Sequence, residues 1–255
     1  MDLKSKFSDL VELMVLLRSP QGCPWDREQT PQSIKANILE EACEVMDALD
    51  TGDKENIKEE LGDLLLQVIF QSQLAAEIGQ FTIDDVIDGI VAKLKRRHPH
   101  IFGDLKLETA TEVLNHWELI KAGEKEEYGR IDNVPKSLPA LAMAQKLQKK
   151  AAKSGFDWPN KDGVLEKLSE ETAEFFAVAD NDPRSREEEF GDILFTLANL
   201  ARHLGVESET ALRRANNKFR RRFSIMADLA QDRGDNLNDL TLEQMEELWQ
   251  AAKRN

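Results

Sequence analysis

The chain has little with which to crosslink itself. Its two cysteines, Cys23 and Cys43, stand among 255 residues with neither CxxC nor zinc-ligand spacing, which excludes a disulfide scaffold and a thiolate zinc site and points to a reducing, cytoplasmic setting. Aromatic residues make up 6% of the chain, with a single Tyr, so a core must be packed mainly from aliphatic side chains. Thirteen Gly and eight Pro suffice to punctuate elements. With no sustained strand-like alternation, the expected structure is mostly helix. No apolar run approaches the length of a membrane span, and the first residues, Met1 to Asp9, carry acids within their apolar pattern, unlike a signal peptide. HExxH, Glu-x-x-His, Walker A and GxGxxG patterns are absent, which weighs against zinc hydrolase, di-iron bundle, P-loop and Rossmann readings. Basic residues are in deficit, 34 against 48 acidic, for a formal net charge of −14. Such a chain repels nucleic acid and anionic membranes at long range, and an anionic substrate would need metal ions and a local basic patch.

What the sequence does have is an acidic signature, present twice. Glu41-x2-Glu44 is followed by Glu60-x2-Asp63, and Glu171-x2-Glu174 by Glu189-x2-Asp192. Residues three apart share a helix face, so each pair aims two carboxylates at one point and two neighbouring helices collect four. Like charges about 4 Å apart repel by roughly 4 kcal/mol at an effective dielectric near 20, so such a nest calls for a cation. Hard oxygen ligands select magnesium, manganese or calcium over zinc. One such quartet has a chance expectation of roughly 0.3 in so acidic a chain, and solvated helix faces would explain it. Duplication changes that weighting, because the surroundings repeat as well. Trp25-Asp26 after Gly22 answers Asp157-Trp158 after Gly155, and Glu60-Leu61-Gly62-Asp63 answers Glu189-Phe190-Gly191-Asp192. Lys93-x3-Arg97 answers Lys218-x3-Arg222, and Trp117-x3-Lys121 answers Trp249-x3-Lys253.

This internal repeat, with a period of about 130 residues, predicts an all-α fold of tandem duplicated helical-bundle domains. The expected boundaries are a first domain over 1–121, a linker over 122–139 rich in charge, Gly and Pro, and a second domain over 140–255. Leu61, Leu64, Leu65, Val68 and Ile69 recur as one buried helical stripe, and Ile193, Leu194, Leu197 and Leu200 do much the same. Thr51-Gly52-Asp53 and Asn181-Asp182-Pro183 would turn each pair of acidic helices into a hairpin. Gly22 to Asp26, and Pro99 between His98 and His100, are expected to turn the chain. Lys218 and Arg222, one helical turn apart, can reach one anion or form an ordinary basic face. Trp249 with Lys253 can take a nucleobase and a phosphate or sugar, or anchor the last helix.

The segments LEEACEV, KEELGDLL and KLKRRHPHIFGD in the first half, EETAEF, EEEFGDIL and ANNKFRRRF in the second, with GCPWD and the closing Leu248-Trp249, resemble the MazG family of nucleoside triphosphate pyrophosphohydrolases. The resemblance runs nearly end to end. It implies hydrolysis of nucleoside triphosphates to monophosphate and pyrophosphate with magnesium, or manganese in its place, by an all-α protein that is usually a homodimer. Carried onto matching positions, Glu171, Glu174, Glu189 and Asp192 would hold the metal and carry catalysis, while Lys218, Arg222, Trp249 and Lys253 would contact the nucleotide. Lys167, one turn before Glu171, is a further phosphate candidate. The second half is the one the family credits with turnover; Glu41, Glu44, Glu60 and Asp63 form a second candidate set. A tandem helical module that binds nucleotides or a partner without catalysis, and a γ-phosphatase, are the rival readings. A nucleic-acid or membrane partner is not expected.

Overall fold

The computed structural model describes residues 3–124, 131–179 and 181–254, with the side chains of 3–5, 118, 121–124 and 132 left aside. The Lys121 side chain and residues 125–130 of the expected linker therefore lie outside the described part. All regular elements among the described residues are helical. The chain divides into two compact units, residues 1–121 and 122–255, each described by itself.

The first unit is built from α1 (Leu3–Arg18), α2 (Pro24–Glu28), α3 (Lys35–Thr51), α4 (Lys54–Glu77), α5 (Ile83–Arg97), α6 (Pro99–Phe102) and α7 (Ala110–Glu124). Helices α3 and α4 form the expected hairpin, and α4 also packs against α1 and α5. The hairpin turn is local chemistry. Gly52 takes φ 74 at the end of α3, a left-handed conformation that glycine adopts without a Cβ penalty. The Asp53 carboxylate then accepts the Glu55 and Asn56 amides to start α4. Met14, Ile34, Ile69, Phe70 and Leu74 form the buried core, with Phe7, Leu10, Val11, Leu66 and Ile83 against it. Arg18 ties α1 to α4 through two 2.6 Å bonds to the Glu77 carboxylate, and its guanidinium lies over Phe70.

The second unit comprises α8 (Ala140–Lys153), α9 (Lys161–Ala177), α10 (Pro183–His203), α11 (Ser208–Asp232) and α12 (Leu242–Ala252), with 3-10 turns at Ile131–Asn133 and Leu237–Asp239. The α9–α10 hairpin is its centre, and α10 also packs on α8. Its turn is capped by Asp182, which accepts the Ser185 amide, while Pro183 opens α10. Two buried amides do the work of apolar packing: Gln145 donates to the carbonyls of Ala198 and Val206 and accepts the Ser208 amide, and Gln148 donates to the Phe195 carbonyl. Met226, Ala230, Leu248 and Ala252 make a core between α11 and α12. Within the expected linker, the turn at Ile131–Asn133 packs against α8 and Val134 is buried, because Val134 is an apolar side chain that α8 can cover.

Three local expectations need correction. The segment Gly22 to Asp26 does not only turn: the turn lies at Ser19 to Gly22, and Pro24 opens α2, since its fixed φ suits a first helical position. Pro99 opens a one-turn helix for the same reason. The stripe on α4 is not buried along its length, because Ile69 is covered while Leu61, Leu65 and Val68 are exposed; on α10, Leu194 and Leu197 are exposed too. Helical periodicity reports that a face is apolar, not that the same chain covers it.

Candidate functional site

In the second unit, α9 presents Lys167, Glu171 and Glu174 on one face, and α10 presents Glu189 and Asp192. Carboxylate oxygens of Glu171, Glu174 and Glu189 all lie within 4.8 Å of one another. Glu171 is buried, with 5% of its surface exposed. A buried carboxylate requires a partner, and Lys167 supplies one: its Nζ stands 2.7 Å from Glu171 Oε1 and 2.8 Å from Glu170 Oε1. The bonds to Glu170 and Glu171, in that order, hold the Lys167 ammonium well above the usual lysine range. Partial desolvation raises the Glu189 pKa above its ordinary 4.5, and the charges of Glu174, Glu171 and Asp192 push it the same way. Asp192 thus adds to the local field from outside the tight three-carboxylate group.

The first unit repeats the arrangement with different membership. Glu41 from α3 and Glu60 and Asp63 from α4 place oxygens within 4.8 Å of one another. Glu44 is outside that group, yet its charge is felt by both Glu41 and Glu60. Both glutamates have pKa values raised from 4.5, first by desolvation and then by neighbouring carboxylates: Asp63 and Glu44 for Glu41, Glu44, Glu59 and Asp63 for Glu60.

The donor chemistry fits a hard divalent cation. All ligand candidates are carboxylate oxygens, which such cations prefer, and opposite ligands around an ion at about 2.1–2.4 Å stand roughly 4.2–4.8 Å apart. The ammonium of Lys167 already occupies the position of a positive charge against Glu171. The residues present can therefore hold a metal ion, at the place where desolvation and the charges of Glu174, Glu171 and Asp192 raise the Glu189 pKa.

The remaining nucleotide-contact candidates lie on α11 and at the end of α12. Lys218 is exposed and Arg222 half-buried on α11. Trp249 packs its ring 5.3 Å from that of Phe219, and Lys253 Nζ lies 5.9 Å above the Trp249 ring. The anchor reading of this tryptophan is met, since it packs against the α11–α12 core. In the first unit it is Arg97, the counterpart of Arg222, that lies over Trp117, 5.7 Å from guanidinium to ring centre. Two neighbours escaped sequence reasoning. Phe219, one residue after Lys218, extends the aromatic surface by stacking on Phe223 at 6.0 Å. Gln67 lies buried beside Glu41, its Nε2 3.4 Å from Glu41 Oε1; its signal was an amide in the apolar run Leu64 to Phe70, one turn after Asp63.

All-α units whose helix hairpins gather acidic side chains around one point define a class of helical proteins with a carboxylate nest between paired helices. The sequence matches the profile of the MazG nucleotide pyrophosphohydrolase domain over residues 29–102 and 160–224, which contain the two hairpins. It is 46% identical to the nucleoside triphosphate pyrophosphohydrolase/pyrophosphatase MazG of Thermotoga maritima, over 97% of this chain and 95% of that one. It is also 46% identical to the nucleoside triphosphate pyrophosphohydrolase of Escherichia coli K12, over 96% of both chains. To the uncharacterized protein YabN of Bacillus subtilis it is 48% identical over 98% of this chain and 52% of that one. The chain belongs to the MazG nucleotide pyrophosphohydrolase family.

Proposed function

We propose that this protein hydrolyses nucleoside triphosphates at the α-phosphorus to nucleoside monophosphate and pyrophosphate. Glu171, Glu174, Glu189 and Asp192 hold magnesium, for which manganese can substitute. The observation that carries this reading is the convergence of three carboxylates from two helices on one point, with the Lys167 ammonium held against one of them. Family membership and the names of the two full-length relatives support the reaction class.

When bound, the metal ion supplies Lewis acidity toward phosphate oxygens and lowers the pKa of the attacking water. The chain's own residues do the rest. A glutamate of the nest takes the proton of the water whose oxygen forms the new bond to the α-phosphorus, as the bond to the pyrophosphate oxygen breaks. Lys167 exchanges Glu171 for a phosphate oxygen, and Lys218 and Arg222 neutralise charge on the leaving group. Trp249 with Phe219 gives the base an aromatic face that tolerates any base, and Lys253 meets sugar or phosphate. Catalysis here is position and field without a covalent intermediate.

The test is product identification after adding ATP and magnesium to the intact protein. Monophosphate with pyrophosphate supports the proposal, and Glu174→Gln should then lower turnover by about a thousandfold or more. Diphosphate with phosphate would replace it with a γ-phosphatase, and no turnover with retained nucleotide binding would replace it with a binding module. The acidic charge and the free Cys23 and Cys43 support a cytoplasmic setting. The exposed leucine and valine rows on α4 and α10 support a homodimer.

A further inference from the structure

We infer that Trp158, whose indole lies on Gly163 at the first turn of α9, is a positioning residue for Lys167: it closes the N-terminal side of that lysine and keeps the ammonium over the carboxylate nest. The inference rests on the reading above, in which Lys167 meets a phosphate oxygen, and adds what holds the lysine ready.

Gly163 is what lets the ring approach. A Cβ built on it would stand 2.2 Å from Trp158 Cδ1 and 3.0 Å from Nε1, far inside van der Waals contact, so a side chain here expels the indole. The backbone itself does not call for glycine, since Gly163 lies within α9 and takes no left-handed φ. The loop that carries the ring is fastened on both sides. The Phe156 amide donates to the Ala151 carbonyl on α8 at 3.1 Å. The Asp157 carboxylate accepts the Trp158 amide at 3.0 Å while it is bonded to Arg202 near the end of α10. The indole therefore stands as a wall against α9, with 39% of the residue exposed.

Gly163, Lys167 and Glu171 follow one another at intervals of four along α9, so the ring, the lysine and the buried carboxylate lie in one row. Long side chains on a helix lean back toward its N-terminus and cover the preceding turn. For Lys167 that turn is where the indole sits. With that course closed, the ammonium stands on the other side, 2.8 Å from Glu170 Oε1 and 2.7 Å from Glu171 Oε1. A four-carbon stem in water spreads over many rotamers, and one confined by a fixed wall meets a phosphate with less ordering left to do. The first unit lacks the seat and the lysine alike. Counting back the 130 residues that separate Glu171 from Glu41 sets Ser33 opposite Gly163 and Asn37 opposite Lys167, and Trp25 sits on the short α2 with 59% of its surface exposed.

The experiment compares the intact chain with Gly163→Ala, Trp158→Ala and Trp158→Phe. Alanine suits a helix interior better than glycine, so Gly163→Ala should keep or raise the melting temperature while it evicts the ring. An ammonium held by two carboxylates stays protonated and reacts slowly. Acylation of Lys167 by an amine-reactive ester in the nucleotide-free protein, followed by peptide mass spectrometry, should therefore quicken about threefold or more in Gly163→Ala and Trp158→Ala. Trp158→Phe, which keeps a ring, should stay near the wild-type rate. With ATP and magnesium, KM should rise about fivefold in the first two variants while kcat changes less than about twofold. That rise should vanish in a Lys167→Met background, because the two residues then act as one unit. Unchanged acylation would overturn the inference, as would a Trp158→Phe protein as fast as Trp158→Ala, or KM effects that simply add to that of Lys167→Met. Acylation that responds as stated in a protein whose KM ignores Lys167→Met overturns instead the phosphate role of Lys167.

Discussion

Lys167 lies between two carboxylates that compete for it, and on the proposed reaction it exchanges Glu171 for a phosphate oxygen. Its ammonium is bonded to Glu170 and Glu171, so a triphosphate must compete with Glu171 for it. Lys167→Met keeps the aliphatic stem and removes the charge. We expect KM for the triphosphate to rise about tenfold, near 1.4 kcal/mol, with a smaller change in kcat, measured by steady-state kinetics. The acidic quartets were legible in the sequence because carboxylates three apart on a helix can only aim together. The partial exclusion of Glu44 and Asp192 from the tight groups was not. Spacing fixes the face that a residue occupies, while the angle between two helices decides which oxygens meet.

Each hairpin helix is also fastened at a distance from its acids. Arg18 clamps α1 to α4 at Glu77, and in the second unit Arg202 near the end of α10 bonds Asp157 through Nη1 at 2.9 Å, with His203 Nε2 3.2 Å from the same carboxylate. Arg18 is nearly buried, with 7% of its side chain exposed against 34% for Glu77. Arg18→Ala should therefore cost about 2 kcal/mol, below the range for a fully buried pair, and lower the melting temperature of the first unit by roughly 8 °C.

The same clamps fix the acid limb of stability. The Arg18 bond lowers the Glu77 pKa from its ordinary 4.5, and the Arg202 bond lowers that of Asp157 from 3.8. Depressed carboxylates contribute stability above their ordinary values and lose it as pH falls below them. Glu41, Glu60 and Glu189 have the opposite sign: their raised values mean that the metal-free fold gains stability as pH falls from neutral toward 4.5. Melting temperatures in chelator should thus pass through a maximum on the acid side of neutrality and drop below pH about 4.5; a monotonic rise toward pH about 8 would contradict this. Neither clamp was visible in the sequence, because Arg18 and Glu77 meet only after three helices have folded between them.

For the molecule as a whole, repetition was the most readable property. Correspondences such as Glu60 to Asp63 with Glu189 to Asp192 required the same hairpin twice, and α3–α4 and α9–α10 are those hairpins. What a single sequence could not convey is where its apolar surface goes. Leu61, Leu65 and Val68 on α4 and Leu194, Phe195 and Leu197 on α10 are each 40% exposed or more. We expect light scattering after size exclusion to give twice the 28.9 kDa chain mass. Leu65→Glu should shift the protein toward monomer and lower its melting temperature.

Those uncovered rows bear on how the protein is managed in a cell. On the proposed homodimer, a newly made copy that has not met its counterpart displays the greasy signature by which chaperones and proteases recognise unfinished chains. Its survival then depends on encounter rate, so scarce synthesis is penalised twice, once in number and once in lifetime, and output rises more steeply than expression.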